Sequence, residues 1–246
     1  MATASSRQEN PKVVSQAEWL AARKELLKKE KEFTKLRDEL SAQRCELPWE
    51  KVEKQYAFDG QNGKETLADL FGGRSQLIVY HFMFGPGWKE GCPRCSFVSD
   101  HINASVVHLA ARDVKLMVVS RAPLAEIEAF KKRMGWRFKW VSSFGSDFNY
   151  DYQVTLDESR GQVEYNYRSE PSLLGGDRSS EMPGYSCFLR EGDEIFHTYS
   201  VYGRGTEYVG NAYTFLDMTA LGRQEDWEEP KGRVPPVRGG DPTFTS

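Results

Sequence analysis

Two cysteines separated by a proline and an arginine, Cys92-Pro93-Arg94-Cys95, are the residues of this chain best suited to chemistry. A thiolate at the first position can attack a disulfide, and a thiol one turn later can resolve the mixed disulfide that forms. The run before them, Leu77-Ile78-Val79-Tyr80-His81-Phe82-Met83-Phe84, reads as a buried strand, and Gly85-Pro86-Gly87-Trp88-Lys89-Glu90-Gly91 breaks it. From Ser96 onward Phe97, Val98, Ile102, Val106 and Leu109 recur three or four apart, which predicts a helix. A helix start offers unpaired backbone amides and the positive end of the helix dipole, and both favour a thiolate. Cys92 is therefore the expected nucleophile and Cys95 the resolving thiol. Arg94 adds positive charge beside them, and Pro93 fits the first turn because its missing N–H would be unpaired there anyway.

The elements that must hold this dithiol are legible on both sides of it. Val114 to Ser120 predicts a second buried strand, Pro123 opens a helix through Phe130 to Met134, and Trp136 to Val141 alternates as a third strand. Strand, helix, strand, helix, strand is an α/β order with right-handed crossovers and a parallel core. Upstream, Lys51 to Phe58 suggests a strand, Asp59 to Gly63 a turn and Thr66 to Phe71 a short helix. Residues 142 to 181 read as an insertion with aromatic anchors Phe144, Phe148, Tyr150, Tyr152, Tyr165 and Tyr167. A hairpin follows, Tyr185 to Arg190 and Glu194 to Tyr202 about a Glu191-Gly192-Asp193 turn. Asn211 to Leu221 has helical spacing and closes the fold.

At the N-terminus, residues 15 to 44 predict one long helix opened by a Ser15/Glu18 capping box. Its apolar positions Leu20, Leu26, Leu27, Phe33, Leu36 and Leu40 predict a solvated helix packed by one face on the body, with a dimerising arm as the alternative. The expected organisation is a helical arm over 1–48, a main domain over 49–222 and a mobile tail rich in Pro and Gly over 223–246.

Composition narrows the classes. A formal net charge of −3, from 33 basic and 36 acidic residues, argues against nucleic acid or an acidic membrane as a partner recruited by bulk charge. The longest apolar run is far short of a membrane helix, and the first residues lack a signal-peptide core, so a cytoplasmic protein is expected. Four cysteines, Cys45, Cys92, Cys95 and Cys187, are too few to staple a chain of 246 residues.

This order of elements around a Cys-x-x-Cys resembles the thioredoxin-like fold. In addition His81-Phe82-Met83-Phe84, Gly91 to Phe97, Asp147-Phe148-Asn149-Tyr150-Asp151, Pro183-Gly184, His197-Thr198-Tyr199-Ser200, Tyr202 to Gly205 and Gly222 to Glu225 together resemble the thioredoxin-like family called domain of unknown function 899. The resemblance spans roughly residues 10 to 225. It implies a thioredoxin-like α/β fold with an N-terminal helical extension and an insertion before the C-terminal hairpin. It also implies a dithiol-disulfide oxidoreductase that acts on a protein or small-molecule disulfide or thiol, with no organic cofactor beyond the cysteine pair. Thioredoxin-like folds place a cis-proline beside the active thiol, where the preceding backbone pairs with substrate. Pro183 is the candidate, although counting back from the hairpin turn leaves it one residue early. Trp88 and Pro93 are assigned to the substrate side, Trp88 as one wall of a groove.

The rival reading is metal or small-ligand binding, with Cys92 and Cys95 joined by His81 and His197, since a zinc site needs four ligands and no second Cys-x-x-Cys is present. Peroxide reduction ranks lower. A peroxiredoxin-type site needs Thr or Ser three residues before its reactive cysteine, and that place is Lys89.

Overall fold

A computed structural model describes residues 12–175, 177–209 and 211–219. The chain opens with α1, Gln16–Cys45, and the predicted capping box is formed: Ser15 N donates to the Glu18 carboxylate at 3.0 Å, and the Glu18 amide donates to the Ser15 hydroxyl. Packing of α1 on the body is not what the structure shows. None of its residues is buried, and Leu20, Leu26, Leu27, Phe33, Leu36 and Leu40 are all exposed. Lys, Glu and Arg stand between these side chains around the helix, so its apolar surface forms no broad stripe of the kind a globular body covers. The last turn does reach the body, where the Arg44 guanidinium lies over the rings of Tyr199 and Tyr208.

After α1 come β1 (Glu50–Lys51), β2 (Ala57–Gly60), β3 (Gly63–Thr66) and the short α2 (Leu67–Leu70). The core alternation is β4 (Gln76–His81), α3 (Pro93–Ala110), β5 (Val114–Ser120), α4 (Leu124–Met134) and β6 (Trp140–Ser142). Between β6 and the hairpin lie α5 (Phe148–Asp151), β7 (Thr155–Asp157), β8 (Glu164–Tyr165), β9 (Arg168–Ser169) and β10 (Ser179–Glu181). The hairpin is β11 (Gly184–Glu191) with β12 (Glu194–Tyr202), and α6 (Asn211–Asp217) follows. The tail expected over 223–246 lies outside the described residues, as does Leu221, the expected end of the last helix.

One eight-stranded sheet runs β1-β12-β11-β4-β5-β6-β2-β3. Strands β4, β5 and β6 are parallel, and β11 runs antiparallel to both β4 and β12. With α3 leaving β4 and the chain returning through β5, the β12-β11-β4-β5 quartet makes the fold thioredoxin-like. Local chemistry sets the register at its base. Asp113 adopts φ 59°, and its carboxylate accepts from the Ser75 amide at 3.2 Å, which ties the entries of β4 and β5 side by side. Gly135, at φ 70°, ends α4 in the left-handed conformation that a Cβ would disfavour. The third strand is shorter than expected, because Trp136 and Phe138 stack on each other at 5.3 Å and fill the core ahead of it.

Strand alternation gives the sheet two dissimilar faces. Tyr80, Phe82, Val118 and Tyr185 pack beneath α3 and α4 with Cys95, Ile102, Ile127 and Phe130. Val79, Met117, Val119 and Phe188 face the other way, against Phe58, Phe71, Phe148 and Tyr152. The insertion has a small core of its own around Val154, Leu156, Tyr165 and Tyr202. Of its expected anchors Phe148, Tyr152 and Tyr165 are buried, whereas Phe144 and Tyr167 are exposed. Among the described residues no helix is long and apolar enough to cross a membrane.

Candidate active site

The dithiol sits where β4 hands over to α3. Cys92 is the N-cap of α3 and Pro93 its first residue, as the sequence predicts. Met83, two residues past β4, holds both cysteines by its backbone: its carbonyl accepts from Cys92 N at 3.0 Å, and its N–H donates to Cys95 Sγ at 3.5 Å. Both cysteines are free thiols, Cys92 half-buried and Cys95 only 2% exposed.

Their environments pull the two thiols apart. Cys92 is lowered to about 6, first by the Cys95 thiol, which donates to its sulfur. The backbone amides of Cys95 and Arg94 contribute next, then the Arg94 charge, all against the opposing effect of burial. The Cys92 sulfur makes no full capping hydrogen bond, yet these amides face it closely enough to favour the thiolate. Cys95 is pushed well above the ordinary thiol value by burial and then by Cys92. Two donors oppose that rise, the Tyr80 hydroxyl and the Met83 amide. These shifts favour the thiolate at half-buried Cys92 and the neutral thiol at buried Cys95.

Tyrosines gather around the buried sulfur. Tyr80 is 1% exposed and stacks on Tyr185 with ring centroids 4.6 Å apart. Tyr165, from the insertion, donates to the Pro183 carbonyl at 2.7 Å and accepts from Gly203 N at 2.8 Å. Cys95 raises the pKa of Tyr80, Tyr165 and Tyr185, in each case after burial as the leading cause, which places all three hydroxyls within electrostatic reach of the sulfur. Sequence reasoning missed these residues. Tyr80 was recoverable, because it shares a strand face with Phe82, whereas nothing in the local pattern marks Tyr165.

The remaining candidates fall at the rim. Trp88 is 38% exposed in the loop between β4 and Cys92, where its indole nitrogen lies 3.0 Å from where a Cβ on Gly85 would stand. Pro183 immediately precedes β11, whose first residue, Gly184, pairs with His81 at the end of β4. Beside this loop Arg121 donates to Glu181 at 2.8 Å, and Thr155 donates to the second carboxylate oxygen at 2.8 Å. Gly91, next to Cys92, is tightly enclosed: an added Cβ would meet Phe82 Cε1 at 2.6 Å and Phe130 Cε1 at 3.1 Å. Gly91→Ala is accordingly expected to cost about 1–3 kcal/mol of stability. Urea denaturation measures it, and an unchanged midpoint would mean that the Phe82 ring gives way freely.

The structure does not bring His81 and His197 to the cysteines. They join each other through a buried chain on the opposite face of the sheet. His81 Nε2 contacts Ser186 Oγ at 2.9 Å, Ser186 Oγ contacts Ser200 Oγ at 2.9 Å, and Ser200 Oγ contacts His197 Nε2 at 2.7 Å. His197 Nδ1 then faces Glu50 Oε2 at 3.3 Å. Among the described residues no three His, Cys, Asp or Glu side chains converge as a metal would require. Cys187, on β11, is raised to about 11 by burial, which suits a packed thiol and not a reactive one.

Over residues 8–237 the chain matches the family described as "Bacterial protein of unknown function (DUF899)". The chain belongs to this family. No curated protein matches it. Among solved structures, a mutant of peroxiredoxin Q from Xanthomonas campestris is similar at 16% identity and a TM-score of 0.45, over 65% of this chain and 89% of that one. A mutant of peroxiredoxin Q from Xylella fastidiosa gives 13% identity and a TM-score of 0.45, over 68% and 94%. Peroxidoxin BcpB from Mycobacterium tuberculosis gives 11% identity and a TM-score of 0.42, over 68% and 92%. At such identities these likenesses carry nothing about the substrate of this DUF899 chain.

Proposed function

We propose that the chain is a thiol-disulfide oxidoreductase, acting through the Cys92/Cys95 pair on a protein or small-molecule disulfide in a reducing compartment such as the cytoplasm. The observation that carries this reading is the opposite displacement of two thiols in one motif, the outer lowered to about 6 and the inner buried and raised. The Cys92 thiolate attacks one sulfur of the substrate disulfide; a Cys92–substrate disulfide forms and the other substrate sulfur leaves as a thiolate, which takes up a proton. Cys95 then gives up its proton and attacks the Cys92 sulfur, so that the Cys92–Cys95 disulfide forms and the second substrate thiolate departs. A dithiol reductant returns the pair to the starting state. Tyr80 and the Met83 amide, aimed at Cys95, stabilise the thiolate of the second attack. Arg94 assists the first thiolate, Trp88 and Pro93 border the approach, and Pro183 supplies backbone on the substrate side.

The test is the pH dependence of alkylation. Cys92 is expected to react with iodoacetamide with a midpoint near 6, while Cys187 stays slow until strongly alkaline pH. Mass spectrometry of alkylated peptides reads each thiol separately, and a Cys92 that titrates like a free thiol overturns the assignment.

A second expectation isolates the inner thiol. Tyr80→Phe removes one donor to the Cys95 sulfur and should slow resolution of the mixed disulfide by about tenfold or more, the range of a hydrogen bond to a charged group. Its first attack, timed by a burst of released thiol, should be nearly unchanged. Equal slowing of both steps would assign Tyr80 a packing role alone.

A further inference from the structure

The helix α1 carries a second pattern that its exposure makes meaningful. Trp19, Leu26, Phe33 and Leu40 stand seven residues apart and are 58%, 53%, 62% and 41% exposed. Glu18, Glu25, Glu32 and Glu39 stand seven apart on one flank of that line, and Arg23, Glu30, Arg37 and Arg44 lie on the other. A period of seven with charged flanks is the signature of a helix that pairs with another helix, because 3.5 residues per turn keep one seam facing the partner. At 30 residues, or about 45 Å, α1 is long enough for four such repeats.

We propose that the face Trp19–Leu26–Phe33–Leu40 is covered by the same face of a second copy of this chain, in a parallel two-stranded coiled coil.

Charge selects both the occupant and the direction. In a parallel pair each residue on the Glu flank meets the opposite flank of its partner five residues further on. Glu18 then faces the partner's Arg23, and Glu32 faces the partner's Arg37. Glu25 meets the partner's Glu30, a like-charge contact. Glu25 is offset within its own helix by Lys28 at 2.8 Å, and Glu30 by Arg23 at 2.8 Å, an arginine it shares with the partner's Glu18. An antiparallel pair would instead set the Glu flank against the Glu flank along its whole length. The second seam positions are mixed, Ala22 and Leu36 with Lys29 and Gln43. Lys29 and Gln43 there cost stability, so a pair of modest affinity is expected.

Light scattering on the full chain across a concentration series should give twice the chain mass, and Phe33→Glu should return it to the monomer with the reactivity of Cys92 unchanged. Direction is read by cross-linking in a Cys45→Ser background. Leu40→Cys should form a disulfide with its own counterpart, identified by mass spectrometry, because position 40 meets position 40 only in a parallel pair. A full chain that stays monomeric at every concentration, with α1 helical, overturns the proposal, whether solvent or another segment of the same chain covers the face. So does a dimer that survives Phe33→Glu, since its interface then lies elsewhere. Cross-linking confined to a mixture of Trp19→Cys and Leu40→Cys chains overturns the parallel direction. None of these outcomes depends on the dithiol chemistry.

Discussion

Turnover of a test disulfide is expected to fall to the uncatalysed background in Cys92→Ser. In Cys95→Ser it should stall after one event, with the substrate trapped on Cys92. The two substitutions are chemically alike, so the difference between them measures position. Serine at 92 leaves no thiolate at the helix start, and the first S–S bond is never broken. Serine at 95 removes the resolving attack, while its hydroxyl can still donate to the Cys92 sulfur where the Cys95 thiol did. Cys92 should therefore keep its low midpoint in that variant while still forming the adduct. Intact-mass spectrometry decides between outcomes: one substrate per chain on Cys92 supports the assignment, and turnover that persists in Cys92→Ser sinks it. Cys45, exposed at the end of α1, lies outside the motif and serves as the internal control for alkylation.

That hydrogen bond also marks where the sequence stops being informative. The strand, the loop of glycines and the helix start were legible because each is a local matter of period and turn chemistry, and Cys92 with Pro93 falls where those signals put it. Arg94 was legible as a helper, but it ranks below the Cys95 thiol and the backbone amides, because strength depends on contact and burial more than on charge. Tyr165 lies 70 positions beyond Cys95 in the chain and reaches the site through an insertion whose turns carry no periodic signal. The histidines show the same limit from the other side. His81 and Cys95 are close in sequence, yet alternation on β4 sends His81 away from the face that packs Cys95. A list of ligand-type residues cannot separate the faces of a sheet, whereas strand parity can. α1 was mispositioned for a different reason: its apolar residues imply contact with something, and a single chain cannot say with what.

Acid is expected to destabilise the protein through His81 before the aspartates with lowered pKa values protonate. The ring is 1% exposed and packs against Phe148 and Tyr152, with ring centroids 5.6 and 6.1 Å away. Burial lowers its pKa from 6.5 to about 3, with neighbouring His197 a smaller cause. In the unfolded chain the imidazole takes up its proton near 6.5, while in the folded chain it stays neutral until about 3. Between those values the unfolded state binds more protons, so stability falls as pH falls, by up to about 1.4 kcal/mol per pH unit for this one group. Above 6.5 both states are neutral and His81 contributes no slope. The loss should begin at mildly acidic pH, whereas Asp69, Asp113, Asp147 and Asp157, all held below the ordinary carboxylate value, act at lower pH. Urea midpoints of the wild type should therefore decline between pH 6.5 and 5. His81→Gln, which can still hydrogen-bond to Ser186 but cannot titrate, should decline less than the wild type over the same interval whatever its absolute stability, since the raised Glu181 carboxyl acts equally in both. Parallel slopes in the two proteins would show that the folded state protonates His81 readily, and that the Ser186–Ser200–His197 chain admits a charge which its burial would otherwise refuse.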